Sequence, residues 1–425
     1  MKRRIAIVGA GLSGLVAAYN LCKNGNTQVI IFERGKEYSK RSVLVESDLA
    51  YGEGGAGTIA GGKFCFPPAS KGVWIRSQMQ VKEFENFENQ ILRPFGGDGF
   101  INGHTEKIEV LHKLNSLFIK NYDSYFLSKT EMQNFVIKLI NSVRSMGTTI
   151  LHNCEFKKWK NNNGKFTVEF FDEDNHKKSD IFDFLIIASG RVSSDSIGKW
   201  LGKNDEIFLQ NPDLGIRITL PLNNTGVFKN IGKDIKIKAQ FGDIGVRTFC
   251  VCAGGEKTLV NLNGLRYFDG HFEENITNKV NLGILARSPY IFGYEGAALY
   301  CQCLRPYLDS CISLKDFIKY GDKFIKDINI FNDLLISIKQ FVVLLQQEHL
   351  IEENLDKYPV FMPSVDKLNP VIKTNKNFET KQKNLYVIGD AVGVSRGFIQ
   401  AMWSAYCASN DIIMKTDEMM EKIVI

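Results

Sequence analysis

The sequence predicts an α/β protein in two parts: a parallel-sheet domain assembled from separate stretches of chain, and a mixed α+β cap domain. Three observations carry this. A strand–glycine turn–helix–strand unit opens the chain, helix–strand alternation is lost between residues 211 and 370, and a buried strand and a helix return within 384–414. At 425 residues the chain exceeds what one simple core holds.

Residues 4–8 are an apolar run, residues 9–14 carry three glycines, and a helix is expected to residue 24. Residues 28–32 form a second strand ending at Glu33, which completes a strand–helix–strand unit. The glycine-rich stretch 52–62 has no periodicity, as expected of backbone lying against a ligand or another backbone. Met132, Phe135, Val136, Leu139, Ile140 and Val143 recur at helical spacing, which predicts an amphipathic helix over 130–146. Short strands follow at 149–151, 155–159 and 165–171, and the continuous apolar run 184–188 reads as a central parallel strand. Beyond residue 211, strands at 215–220, 235–241, 247–252 and 258–263 suggest a mostly antiparallel sheet, with helices at 313–327 and 330–347. The expected domains are 1–72 with 131–203 and 371–425, a helical excursion at 73–130, and a cap at 204–370.

The net charge of +6 is modest and the lysines are scattered, so no basic face for nucleic acid is expected. Residues 1–8 resemble a secretion signal only at a glance, because the apolar run leads into a phosphate-binding turn and no cleavage site. No segment approaches the roughly eighteen apolar residues of a membrane span. Nine cysteines without scaffold spacing suit a reducing compartment, so a cytoplasmic location is expected.

Gly9, Gly11 and Gly14, with Ala10 and Ser13 between them, have the spacing of a dinucleotide-binding Rossmann turn. The first glycine permits the turn, the second admits a pyrophosphate, and the third lets helix pack on strand. The helix start offers free N–H groups to the phosphates. Glu33 is placed to accept from an adenosine ribose, and Arg34 and Arg41 join it as candidate binding residues. Far downstream, Gly389 and Asp390 end a strand, and Gly397, Phe398 and Ile399 open a second helix. An aspartate there suits ribityl hydroxyls, and the helix start suits the charge that a reduced flavin develops, so the dinucleotide is expected to be FAD. Gly96, Gly97, Asp98 and Gly99 follow no strand and read as a loop, so no separate nicotinamide domain is expected; NAD(P)H as a transient donor would visit the cap cleft.

The meander over 154–182 resembles the insert of glutathione-reductase-like FAD domains, which implies an adenine contact from the Phe156 backbone. Ala188-Ser189-Gly190 resembles the Ala-Thr-Gly turn near the cofactor in such folds. Gly52 to Thr58 (with Gly54, Gly55, Ala56 and Gly57), Gly62-Lys63, Gly215 to Ile218, Thr248 to Cys252 with Gly254-Gly255, Asn263-Gly264 and the stretch from Gly389 to Ala401 together resemble a bacterial family of uncharacterised FAD-dependent dehydrogenases. The order matches over nearly the whole chain. Departures stand at Gly61, at Ala253 and at Arg191-Val192, where the family has Asp, Pro and a His-Ser pair.

The implied activity is hydride or electron transfer between the flavin and a small-molecule substrate under the cap. The alternatives are a flavin monooxygenase or oxidase, although the proline expected after Gly-Asp-Ala is missing, and a flavin-binding scaffold without turnover. Lys63 and Arg396 are the candidate catalytic residues, one to bias the ring and one to bind an anionic substrate. Arg217 and Arg247 face an interior or a cleft according to strand phase. Cys250 and Cys252 form one Cys-x-Cys and Cys301 and Cys303 another. On strands these are metal ligands, redox-active thiols or small apolar packing residues; packing is the reading adopted, and no metal site is expected. His104, His112, His152, His176, His271 and His349 show no ligand spacing.

Overall fold

The computed structural model describes residues 2–424, apart from 24, 61, 97–112, 115, 202–205, 223–227, 229–232, 273–276, 288, 290–292, 326–327 and 352–353. Gly61, the glycine turn at 97–99, His104 and His112 therefore lie outside the described residues, as does the side chain of His271.

A five-stranded sheet forms the first layer, in the order Leu385–Val387, Phe184–Ile187, Arg3–Val8, Thr27–Phe32, Thr149–Leu151. Every pairing in it is parallel. Such strands are covered on both faces and so read as unbroken apolar runs; Phe184 to Ile187 are all buried. Helix Leu12–Lys23 packs against the long C-terminal helix Phe398–Val424 and against helix Lys129–Ser145. The last begins in a capping box, with the Ser128 hydroxyl accepting from the Glu131 N–H and the Glu131 carboxylate accepting from the Ser128 N–H. The meander Glu155–Asn162, Lys165–Phe171, Lys177–Phe182 packs Phe170 and Phe182 onto Phe32. Strand order reverses beside Arg3–Val8, where an open α/β sheet places its ligand crevice.

The second sheet has nine strands and is antiparallel throughout. Its centre is Asp213–Pro221, Lys279–Arg287 and Ile244–Ala253, backed by helix Asn329–Gln347, whose Phe331, Leu334, Leu335, Ile338 and Phe341 are buried. The hairpin Gly255–Leu262 and Leu265–Phe272 is a separate two-stranded sheet that packs against this one, with the Ser364 hydroxyl donating to the Phe268 carbonyl.

Three departures from the sequence reading stand out. Within the stretch read as a helical excursion, 71–77 and 81–96 are helical but Leu117–Leu127 is the longest strand of the cap sheet. Leu117 and Ile119 are buried and Phe118 is exposed, which is strand alternation. Gly62–Cys65, from the N-terminal segment, pairs with that strand and so also belongs to the cap sheet. Cys301 and Cys303 lie on helix Gly293–Cys303 rather than on a strand.

Candidate active site

The N-terminal glycines do three different jobs. Gly9 takes a φ of +107°, and a Cβ there would meet the Ala188 carbonyl oxygen at 2.6 Å. At Gly14 a Cβ would lie 2.0 Å from the Gly9 carbonyl oxygen, so this position sets the helix against the strand. Gly11 faces Gly55, with which it leaves only backbone-to-backbone room, and the Gly54 N–H donates to the Ala10 carbonyl at 2.8 Å. The glycine-rich loop is thus laid along the turn as a second wall.

Arg41 builds that wall rather than lining it. Its guanidinium is buried and donates to the carbonyls of Asp48, Glu53 and Gly55. Glu33 holds the turn in the same way: its carboxylate oxygens accept the N–H of Ala10 and of Gly35, each at 2.7 Å. It still lines the cavity beside the turn.

That cavity is a groove of about 420 Å³. One end is formed by Glu33, Arg34, Phe156 and Lys157, the middle by Gly9, Gly11, Ser13, Gly54, Gly55, Ala56, Ala188, Ser189 and Gly190, and the other end by Asp390, Gly397, Phe398 and Ala401. Gly57 and Lys63 line the adjoining cavity instead. Ala10, Gly14, Gly389 and Ile399 stand behind the walls. A Cβ on Gly389 would meet the Ser13 hydroxyl at 2.5 Å, so this glycine joins the two halves of the site without lining the groove.

Several residues that face the groove carry no assigned role in the sequence, where Arg191 stands only as a departure and Asn263 only as part of a motif. Arg191 reaches Asp390 at 3.4 Å and Asp269 at 3.7 Å, and donates to the Tyr267 hydroxyl at 3.2 Å. Burial raises the Asp390 carboxyl from its ordinary value, against the pull of Arg191. Asn263, at the tip of the cap hairpin, accepts from Arg34 at 2.7 Å and donates to the Val192 carbonyl at 2.8 Å. The Ser395 hydroxyl is buried, lines the groove and has no protein hydrogen-bond partner.

A second cavity of about 490 Å³ opens where the groove ends; Ala50, Ala56, Arg191, Arg396, Gly397 and Phe398 line both. Lys63, Lys236, Lys238, Arg247, Arg287 and Lys367 bring positive charge to it, against Asp269 and Asp366. Arg396 pairs with Asp366 and stands 3.8 Å from Asp390. Arg247 lies in this cleft, while Arg217 is fully buried beneath it.

Residues 7–42 match the NAD(P)-binding Rossmann-like domain. The match spans the end of the first strand, the glycine turn, the helix, the second strand and Glu33. No curated protein sequence matches the chain significantly. Among solved structures, CtdE in complex with FAD is 12% identical, aligned over 100% of this chain and 94% of its own, with a TM-score of 0.39. A 2-methyl-3-hydroxypyridine-5-carboxylic acid oxygenase is 14% identical over 97% of this chain and 83% of its own, at a TM-score of 0.41. A flavoprotein/dehydrogenase from Cytophaga hutchinsonii is 12% identical over 96% and 77%, at 0.43. No helix among the described residues is long and apolar enough to cross a membrane.

Proposed function

We propose that the chain is an FAD-dependent oxidoreductase that moves hydride or electron pairs between the flavin and an anionic small molecule. One observation carries the reading: a single groove joins the N-terminal glycine turn to Asp390 and the start of helix Phe398–Val424, then opens into a cation-rimmed cavity. A nicotinamide dinucleotide needs only the first half of that arrangement. The second helix start and a carboxylate at the far end suit the ribityl chain and ring of FAD. The orphaned Ser395 hydroxyl at that end fits a polar ligand atom that the protein itself does not supply.

In this reading Glu33 holds the adenosine ribose, and the N–H groups at the start of helix Leu12–Lys23 hold the pyrophosphate. Asp390 holds ribityl hydroxyls, with Arg191 and Arg396 fixing its orientation. When bound, FAD supplies a two-electron acceptor or donor at its ring. The cations of the second cavity bind the substrate's negative charge and orient it over the ring end. Lys63 and Arg396 are the residues assigned to that face, and NAD(P)H is assigned the role of donor through the same cavity.

The test is an anaerobic titration. Flavin-free protein is mixed with FAD while the tryptophan fluorescence is followed, since Trp200 lines the groove. Saturable quenching with a flavin spectrum is expected, followed by bleaching with NADH or NADPH. A chain that takes up no FAD would overturn the reading. Reoxidation by air against reoxidation by an organic acceptor then separates oxygen-using chemistry from dehydrogenase chemistry.

A further inference from the structure

Strand Ile244–Ala253 breaks its register against Lys279–Arg287 between Phe249 and Cys252. At this bulge Cys250 takes a φ of +44°, a left-handed conformation that a side chain with a Cβ adopts at a cost. In a regular strand, residues two apart are separated by roughly 6.6 Å. Here the bulge brings the Cys250 and Cys252 sulfurs to 3.7 Å. Cys250 lines the second cavity, while Cys252 lies behind it with no exposure.

Two cations fix the bulge. Arg217 is wholly buried and donates to the Cys250 carbonyl at 2.7 Å, while its Nη1 stands 3.5 Å from the Asp269 carboxylate. Lys63 donates to the Val251 carbonyl, between the cysteines, at 3.2 Å. The Cys252 sulfur beside it pulls the Cys250 thiol below its ordinary value against its burial, and Arg217 and Lys63 add to the effect; the Cys252 S–H also reaches the Cys250 carbonyl at 3.3 Å. Asp269 opposes the lowering. Cys252 is correspondingly pushed up and keeps its proton. Packing accounts for Cys301, which is buried on a helix with its thiol raised by burial. It does not account for a left-handed cysteine turned toward a cavity with a second sulfur against it.

We propose that Cys250 and Cys252 are a redox-active dithiol that closes to a disulfide at the expense of the flavin. This rests on the flavin reading for its oxidant. The Cys250 thiolate sulfur bonds to the Cys252 sulfur and the Cys252 S–H bond breaks. Its proton and one electron pair pass to the oxidised flavin, so atoms and charge balance as thiolate, thiol and flavin become disulfide and reduced flavin anion. The sulfurs must close from 3.7 Å to about 2.05 Å. In the reverse direction, reduced flavin reopens the bond and leaves the Cys250 thiolate facing the cavity.

The test reads sulfur chemistry directly. Flavin-free full chain is equilibrated in dithiothreitol buffers of graded potential, quenched with N-ethylmaleimide and digested with trypsin. Residues 248–257 form one tryptic peptide holding both cysteines and no other. It is expected to pass from doubly alkylated to unalkylated, lighter by two hydrogens, with little singly alkylated form. A peptide that stays doubly alkylated across the range overturns the proposal. Cys250→Ser and Cys252→Ser should each abolish the transition, and Cys301→Ser should keep it; the serine at 250 faces a cavity, so it also serves if the serine at 252 does not fold. With FAD bound, oxidised protein should consume about twice the dithionite of Cys250→Ser. Equal consumption removes the coupling to flavin. A chain with an intact thiol transition but no flavin uptake supports the dithiol and overturns the proposed function, whereas flavin uptake without the transition overturns the dithiol alone.

Discussion

Gly14 shows how narrowly one residue fixes the site. The 2.0 Å approach of its missing Cβ to the Gly9 carbonyl means that Gly14→Ala must push the helix off the strand, with no flexible atom to yield. The expected cost is about 1–3 kcal/mol in urea unfolding, together with loss of FAD retention on gel filtration, although the residue does not line the groove. Lys367 is the residue where pH enters. Burial lowers its ammonium to about 8, against Asp213 at 3.9 Å, and it lines the cation-rimmed cavity. It is charged below that value and neutral above it. Sulfate binding to the FAD-loaded protein, followed by calorimetry, should therefore weaken about tenfold as pH rises through 8, and Lys367→Met should flatten the step. Of these two residues, the sequence spacing marked Gly14. Lys367 stood in a stretch with no motif, and only the fold brings it beside Arg247 and Arg287.

At the scale of elements, one buried carboxylate ties several strands. Asp213 begins the strand Asp213–Pro221; it accepts from Arg287 on the adjacent strand Lys279–Arg287 at 2.9 Å and from Arg247 on the strand beyond that, Ile244–Ala253, at 2.6 Å. Arg247 also reaches Asp366 on a third at 2.8 Å. Burial alone would raise the Asp213 carboxyl, but Arg247, Lys367 and Arg287 outweigh it and hold it well below the usual range. A depressed folded value contributes stability that is complete above the unfolded value of about 3.9 and is lost as pH falls through the folded one. Urea midpoints should accordingly drop on acidification below 4, less steeply in Asp213→Asn. That variant should itself cost about 3–5 kcal/mol at neutral pH, because three cations lose a buried partner. Local patterning carried the strands at 215–220 and 247–252 and the helix at 330–347, since each shows its period within its own residues. It missed Leu117–Leu127, where Leu117, Phe118 and Ile119 are apolar in succession and the alternation lies in burial rather than in residue type, and it missed the bulge at Cys250. A bulge is a mismatch between two strands, so neither strand's sequence records it.

At the scale of the molecule, the groove is a junction of distant chain. Its walls come from residues 8–56, 154–200, 263 and 390–401. The two sheets are not independent behind it. Gly62–Cys65 leaves the N-terminal segment to pair in the cap sheet, and Gln400, on the C-terminal helix, donates to the carbonyls of Cys65 and Ala69. From the other side, the cap hairpin returns through Asn263 to Arg34 and Val192, and Arg266 makes a two-point pair with Glu46. The sequence made both ends of the groove legible, through Gly9 to Gly14 and Gly389 to Gly397. It marked Arg191 only as a departure and Asn263 only as part of a motif, and it gave neither a partner, because the partners lie far away in the chain. A ligand that fills such a junction stabilises every segment it joins. FAD at a hundred times its Kd should add about 2.7 kcal/mol, which for a chain of 425 residues is a rise of about 3 °C in Tm. The tryptophans lie at 74, 159, 200 and 403, all outside the cap sheet, so their fluorescence follows one part while calorimetry follows the whole. The shared strand and hairpin require the two transitions to coincide and to move together on adding FAD. A calorimetric peak that FAD leaves in place while the fluorescence transition shifts would mean that the cap unfolds alone, and that Gly62–Cys65 and the Asn263 contacts do not couple the halves.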